Sequence, residues 1–311
     1  MRKIILFLTF LSITLPAFAQ EKDCSKDYSS LVIEEKTGAI LYEKRSDKFS
    51  YPASLVKLMT LYLTFEALEN KRLELNQVLT VSDRGEEIAK VNIVNTSRLK
   101  AGDKITVEQA IKAVIVKSFN EAAVTLSEAV ASSEWEFVRK MNNKAEKLGM
   151  FNTSFRNVTG LHEEGQYTNS YDLARLALAI KKDFPQYYHF FALKKFTMNG
   201  QKYETHNYVL LDYKGAEGMK TGFTNASGFN LVSAAKKEED RIISIVLGCS
   251  TAKSRDQLTK NLLDICFKKL QNEKSKNQLA RFNILNLKGF DYCAKDENLE
   301  EDHKIITSNS D

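Results

Sequence analysis

The sequence predicts an α/β fold of the α+β kind: an antiparallel sheet flanked by helices, with a helical lobe inserted between the parts of the chain that build the sheet. Three observations predict it. Strand patterns occur near both ends of the chain, helical periodicity fills the middle, and no internal repeat is present. Leu31 to Glu35 and Ala39 to Glu43 read as two strands joined by the turn residues Lys36-Thr37-Gly38. A helix is expected from near Ser54, after Pro52, because Leu58, Leu61, Phe65 and Leu68 recur at helical spacing. Val107 to Val116, Glu121 to Ala131, Glu134 to Leu148 and Tyr171 to Ile180 are the clearest helices of the middle. Strand signals return after about residue 205. Gly228 to Ala235 and Arg241 to Leu247 flank the polar turn Lys236 to Asp240, and a last helix is expected over Arg255 to Leu270.

This order gives a domain plan. Residues 1–19 are expected to be a secretory signal: Arg2 and Lys3 are basic, Ile4 to Leu15 is a short apolar run, and Ala17-Phe18-Ala19 is a small-x-small cleavage pattern. Residues 20–270 form the expected catalytic domain. Its α/β part takes about 28–63 and 205–270, and its helical lobe about 64–204. Residues 271–311 read as a polar tail, in which the apolar run Phe282 to Leu287 is too brief for a convincing anchor, so that at most a weak membrane-surface association is expected. An exported chain is expected in the periplasm or on the outer face of the cytoplasmic membrane.

Composition narrows the function classes. The chain is 43% hydrophobic and 27% charged, enough for a well-buried core. Its formal charge is +5, and loss of Arg2 and Lys3 with the signal leaves +3, which excludes a nucleic-acid footprint. The four cysteines, Cys24, Cys249, Cys266 and Cys293, have no C-x-x-C spacing, and His162, His189, His206 and His303 have no metal-ligand spacing. No metal and no cofactor is expected. Three full disulfide pairings and free thiols all stay open, and the histidines read as structural or exposed.

Three short patterns carry chemistry, and each recurs. S-x-x-K occurs at Ser54–Lys57, Ser97–Lys100, Ser233–Lys236 and Ser250–Lys253; S-x-N at Ser118–Asn120 and Ser275–Asn277; K-T-G at Lys36–Gly38 and Lys220–Gly222. Context chooses among them. Ser54 stands at an expected helix start with Lys57 one turn on, on the same face, which sets a nucleophile beside a base. Ser97–Lys100 precedes a turn, Ser233–Lys236 runs along a strand whose i and i+3 positions face opposite sides, and Ser250–Lys253 has no second motif after it.

The order Ser54, Ser118, Lys220 and the segments Tyr51-Pro52-Ala53-Ser54-Leu55-Val56-Lys57 and Gly218-Met219-Lys220-Thr221-Gly222-Phe223-Thr224 resemble the D-alanyl-D-alanine carboxypeptidase family of low-molecular-mass penicillin-binding proteins. The resemblance spans about residues 28 to 270. It implies a β-lactamase/transpeptidase-like fold and a serine peptidase that cleaves peptidoglycan stem peptides ending in D-Ala-D-Ala and is acylated by β-lactam antibiotics. Ser54 is then the nucleophile, Lys57 its base and Ser118 a proton relay to the leaving amine. Asn120 holds the substrate amide and the Lys57 ammonium. Lys220 and Thr221 bind the terminal carboxylate with help from Arg255, and Gly222 and Phe223 belong to the same strand, the backbone N–H groups of Ser54 and Phe223 forming an oxyanion hole. Phe119 stands where the family often has Gly, so altered substrate fit is expected there. A β-lactamase, in which Glu163 or Glu164 activates water, a D,D-endopeptidase, and an inactive cell-wall-binding protein are the alternative readings.

Overall fold

The computed structural model describes Cys24, residues 27–91 and residues 99–291, with side chains through residue 276. The expected signal, Ser97, Cys293 and His303 lie outside the described residues, as do the side chains of Phe282 to Leu287. By contacts the chain divides into two units, residues 1–266 and 267–311.

The first unit holds a five-stranded antiparallel sheet. Strands β1 (Ser29–Glu34) and β2 (Ile40–Lys44) come from the start of the chain; β7 (Ala216–Thr224), β8 (Gly228–Lys237) and β9 (Asp240–Cys249) come from its later part. The order is β2-β1-β9-β8-β7, so β1 pairs with β9 across more than two hundred residues of sequence, with Leu31 opposite Ile245. This is the expected sheet from both chain ends. The Cys24–Cys249 disulfide fastens the segment ahead of β1 to the end of β9. It is one of the pairings the sequence left open, and Cys266 is buried separately.

The lobe between β2 and β7 holds α1 (Lys57–Glu69), α2 (Asp83–Val91), α3 (Val107–Val116), α4 (Asn120–Val130), α5 (Glu134–Lys147) and α6 (Ser170–Asp183). Helix α1 is buried nearly all round, from Leu58 to Leu68, which marks a central rather than an amphipathic surface helix. Helix α3 starts where Thr106 and Gln109 close a reciprocal capping box, each side chain bonded to the other's backbone N–H.

Three details depart from the sequence reading. The lobe also contains two small two-stranded sheets, β3 (Val78–Thr80) with β4 (Lys104–Thr106) and, as a hairpin, β5 (Lys195–Met198) with β6 (Gln201–Glu204). Strands of three or four residues are too short for periodicity to reveal. Ser54 does not open a regular helix: it lies in a 3₁₀ turn, Ala53–Val56, and α1 begins only at Lys57. The last helix, α8 (Ala252–Asp291), begins before Arg255 and continues well past Leu270 after the short α7 (Tyr208–Asp212). The helical stretch after Leu270 has Asn, Lys and Leu as its commonest residues; its polarity reads as a tail in the sequence, while its Lys, Leu and Gln favour a helix.

Candidate active site

Ser54 is placed by backbone conformation. Ala53 is buried with φ +49°, a left-handed conformation unusual for a residue with a side chain. It is held from two sides. Gly160 lies so close that a Cβ there would overlap the Ala53 carbonyl. Gly222 on β7 comes near enough that its Cβ would sit 3.1 Å from the Pro52 carbonyl oxygen and 3.2 Å from the Ser54 nitrogen. Thus the K-T-G glycine lets an edge strand of the sheet lie directly against the serine turn. Asn230 on β8 adds to the anchorage by donating to the Tyr51 carbonyl at 3.0 Å.

Lys57 is fully buried, and its Nζ lies 3.2 Å from Ser54 Oγ, 2.8 Å from Asn120 Oδ1, and in hydrogen-bond contact with the Thr159 carbonyl. Burial pushes its pKa well below the ordinary lysine range, and the charge of Lys220 pushes the same way while Glu121 opposes. The two carbonyl oxygens can only accept. A neutral Lys57 therefore spends both N–H bonds on Asn120 and Thr159 and turns its lone pair to the Ser54 hydroxyl. After taking that proton, the ammonium has an acceptor for each of its three N–H bonds. The pocket thus satisfies both protonation states, which a general base requires.

Ser118 occupies the turn between α3 and α4 at φ +62°, and its buried Oγ has no hydrogen-bond partner. A buried hydroxyl without a partner costs about 1–3 kcal/mol, and this one lies in the wall of the cavity that also exposes Ser54. That cavity, about 330 Å³, is lined by Ser54, Ser118, Thr221, Gly222 and Phe223 together with Lys117, His206, Tyr208, Phe229 and Ala252. Asn120 opens α4 one residue beyond Phe119.

Lys220 is buried behind this wall. It donates to the Thr221 carbonyl at 2.9 Å, and burial together with the charge of Arg255 pushes its pKa down to about 7. Phe223 stacks on Phe229, ring centroids 4.2 Å apart, at the mouth.

The arrangement unites Ser54, Lys57, Ser118, Asn120, Lys220, Thr221, Gly222 and Phe223. Arg255 does not line the cavity. Its Nε and Nη2 donate to Asp256 Oδ1 at 2.9 and 2.7 Å, and its Nη1 reaches the Asn230 carbonyl at 3.4 Å. Phe119 also turns away: it is buried and packs edge-on against Tyr203 of the β5–β6 hairpin, so it supports the lobe rather than shaping the cavity. Glu163 and Glu164 are exposed outside it, Glu163 accepting from Asn157.

Lys117 and His206 were missed as cavity residues. Lys117 could have been found, since it adjoins Ser118; nothing around His206 in the sequence marks it. Burial first, then Lys220, Lys117, Arg255 and Lys57, push the His206 pKa down to about 3, which favours a neutral imidazole.

A serine in contact with a buried lysine three residues on, on a sheet-and-lobe fold with K-T-G on the edge strand, is the arrangement of the penicillin-binding kind. The profile of the D-alanyl-D-alanine carboxypeptidase family matches residues 17–251, and the chain belongs to that family. It is 35% identical over 250 residues to D-alanyl-D-alanine carboxypeptidase DacF of Bacillus subtilis and 36% identical over 240 residues to D-alanyl-D-alanine carboxypeptidase DacD of Escherichia coli, matches that cover 77% and 76% of this chain. In both cases the match covers 61% of the relative's length. Among solved structures, penicillin binding protein 6B of Escherichia coli superimposes with a TM-score of 0.71 at 36% identity, covering 78% of this chain and 76% of that one. Penicillin-Binding Protein D2 of Listeria monocytogenes, solved in an ampicillin-bound form, gives 0.68 at 30% identity, covering 77% of this chain and 96% of that one.

Proposed function

We propose that this chain is an exported serine D-Ala-D-Ala carboxypeptidase that trims peptidoglycan stem peptides and is acylated by β-lactams. The observation that carries the reading is the placement of Lys57 Nζ between Ser54 Oγ and two carbonyl acceptors. Ser54 Oγ attacks the carbonyl of the penultimate D-Ala as Lys57 takes its proton. The tetrahedral oxyanion is met by the backbone N–H groups of Ser54 and Phe223. The C–N bond then breaks, and the proton passes from Lys57 through the Ser118 hydroxyl to the leaving amine of the terminal D-Ala. Water, losing a proton to the same lysine, next opens the ester.

Because β7 ends the sheet, its outer edge can hold the substrate backbone as an added strand beside Ser54. The positive groups gathered behind the wall, Lys220 and Arg255, with Lys117 in it, favour an anionic chain end. Thr221 supplies a hydroxyl there, and Arg255 acts on the carboxylate from behind the wall. The exposed positions of Glu163 and Glu164 supply no carboxylate at Ser54 to speed deacylation, which favours a peptidase over a β-lactamase. Among the described residues no helix is long and apolar enough to cross a membrane. Cleavage near Gln20 and work in the periplasm or on the outer face of the cytoplasmic membrane complete the reading.

The test is penicillin labelling followed by intact-mass measurement and peptide mapping. One adduct on Ser54, absent from Ser54→Ala, is expected. An adduct that persists in that variant, or maps to Ser97 or Ser250, overturns the assignment.

A further inference from the structure

Next to the serine turn, on the side of Tyr51, lies a second cavity of about 490 Å³, lined by Phe49, Ser50, Tyr51, Gly165, Gln166 and Tyr167. Its walls are aromatic and its lining carries no charged side chain. Phe49, Tyr51 and Tyr167 are 59%, 43% and 37% exposed, so three rings that could have been buried stand open in one cleft. They are held rather than loose. Phe49 meets Tyr167 edge-on with centroids 5.1 Å apart, and Tyr51 meets His162 edge-on at 4.8 Å. Paired backbone hydrogen bonds between Ser50 and Thr168, at 2.8 and 2.9 Å, and between Ser154 and Tyr167, at 2.9 and 3.1 Å, tie the two walls together. The amide of Gln166 is spent internally, donating to the Leu161 carbonyl and accepting from the Arg156 and Asn157 N–H groups. The lining of the cleft therefore offers ring faces and phenol hydroxyls, with the Arg156 guanidinium beside Gly165 at its rim.

We infer that this cleft is a carbohydrate subsite, in which the rings of Phe49, Tyr51 and Tyr167 hold an N-acetylated hexosamine of the glycan that carries the stem peptide. The inference rests on the D,D-peptidase reading. Three arguments select this occupant. A sugar ring presents flat arrays of C–H bonds that pack on aromatic faces, while its hydroxyl and acetamido groups bond to phenols and water; a stem peptide is rich in carboxylates and amines, for which the aromatic lining itself holds no charged side chain. The cleft neighbours the reaction centre along the chain, since Tyr51 is followed directly by Pro52, Ala53 and Ser54. The reach also agrees. Four residues separate the sugar from the scissile bond of a pentapeptide stem, an extended span of roughly 14 Å, and the five residues from Phe49 to Ser54 cannot span more than roughly 17 Å. The subsite makes the enzyme prefer stems still attached to glycan over free peptides.

The experiment compares kcat/KM for a disaccharide-pentapeptide with that for the same pentapeptide N-acetylated and without sugar. It uses the full exported chain and its variants Phe49→Ala, Tyr167→Ala and Tyr51→Leu. Glycan strands stripped of peptide are titrated in parallel and followed by tyrosine fluorescence. The unaltered chain is expected to favour the disaccharide substrate about tenfold, the return of well-packed aromatic contact. In each variant the ratio should fall toward one, and the stripped glycan should bind more weakly. Melting temperature identifies any variant that has merely unfolded, and the remaining variants then decide. A ratio near one in the unaltered chain, or a ratio of about ten that survives all three substitutions, overturns the subsite. Tighter binding of a cross-linked, sugar-free peptide than of the disaccharide substrate overturns it in favour of a peptide groove. If neither substrate is cleaved, the peptidase reading fails, and the titration with stripped glycan alone judges the cleft.

Discussion

Lys57 and Lys220 stand in neighbouring regions of one site, and both are buried with depressed pKa values, yet their surroundings differ. Lys57 belongs to the helical lobe and is fixed by three oxygen atoms from three segments, Ser54, Asn120 and Thr159. Lys220 belongs to the sheet edge and has one hydrogen bond, to the neighbouring Thr221 carbonyl. Two adjacent amines cannot both hold a proton cheaply in a buried place. A charged Lys220 lowers the Lys57 pKa and so favours the neutral amine at Lys57. The difference suits a division of labour under the proposed reading: the well-coordinated amine as base, and the poorly coordinated one as the charge for a ligand that brings its own carboxylate.

The sharpest break of this comparison is Lys57→Met. It keeps the volume and removes the base, so penicillin acylation of Ser54 should slow by about 10⁴-fold, the upper end for general-base loss. Stopped-flow acylation rates measure it. A loss below about tenfold would move the base elsewhere and dissolve the contrast with Lys220. Ser118→Ala ranks next. Its unpartnered hydroxyl is placed to pass the proton to the leaving amine, so peptide turnover should fall by about 10²-fold. Acylation by a β-lactam, compared with acylation by a peptide, shows how far the loss depends on the leaving group. A raised melting temperature in the alanine variant would agree with a buried hydroxyl that has no structural partner.

The parts of this site that the sequence revealed are those written in short motifs. Ser54 was placed by its spacing from Lys57, and β8 and β9 by apolar runs around a polar turn. What stayed hidden depended on distant chain segments. The approach of Gly222 and Gly160 to the serine turn, the 3₁₀ turn itself, and the inward turn of Phe119 onto Tyr203 are set by packing between residues far apart in sequence. The same holds for His206, which reads as an ordinary histidine until burial and the nearby basic side chains lower its pKa. Arg255 shows the opposite hazard: its position near the K-T-G strand is legible, but nothing in the sequence says that it pairs with Asp256, the very next residue, rather than lining the cavity.

Lys220 should set an alkaline limb. With a pKa of about 7 it is charged below that pH and loses its proton above it. Binding of a free carboxylate should therefore weaken as pH rises through 7, by up to about tenfold per pH unit if the charge carries the contact. A profile of kcat/KM from pH 5.5 to 9 with a D-Ala-D-Ala peptide checks this. The limb should vanish when the terminal carboxylate is amidated, and it should move to higher pH in Lys220→Arg, whose guanidinium stays charged. A limb unchanged by amidation would assign the titration to another group and leave Lys220 a structural cation.

The smallest expected effect separates two ways in which Arg255 can act. Its guanidinium is held by Asp256 and the Asn230 carbonyl and does not line the cavity, yet its charge helps to lower the Lys220 pKa. Removing it alone would leave Asp256 buried and unpaired, a change that costs about 3–5 kcal/mol and confuses activity with folding. The useful variant is Arg255→Met with Asp256→Leu, which removes the pair together. Two opposing consequences follow. A distant positive charge is lost, which weakens attraction of the carboxylate at every pH. The Lys220 pKa also rises, which keeps that lysine charged to higher pH. Below pH 7, where Lys220 is charged in either protein, the double variant should bind free-carboxylate substrates a few-fold more weakly. At pH 8 the deficit should shrink or reverse, because the variant retains a proton that the parent has lost. A charge-assisted hydrogen bond from Arg255 to the carboxylate would instead give a deficit of about ten- to a hundredfold at both pH values, cancelled by amidation. Measuring kcat/KM at pH 6 and pH 8, with free and amidated peptides, yields different patterns for the two, and a large pH-independent deficit would return Arg255 to direct contact with the substrate.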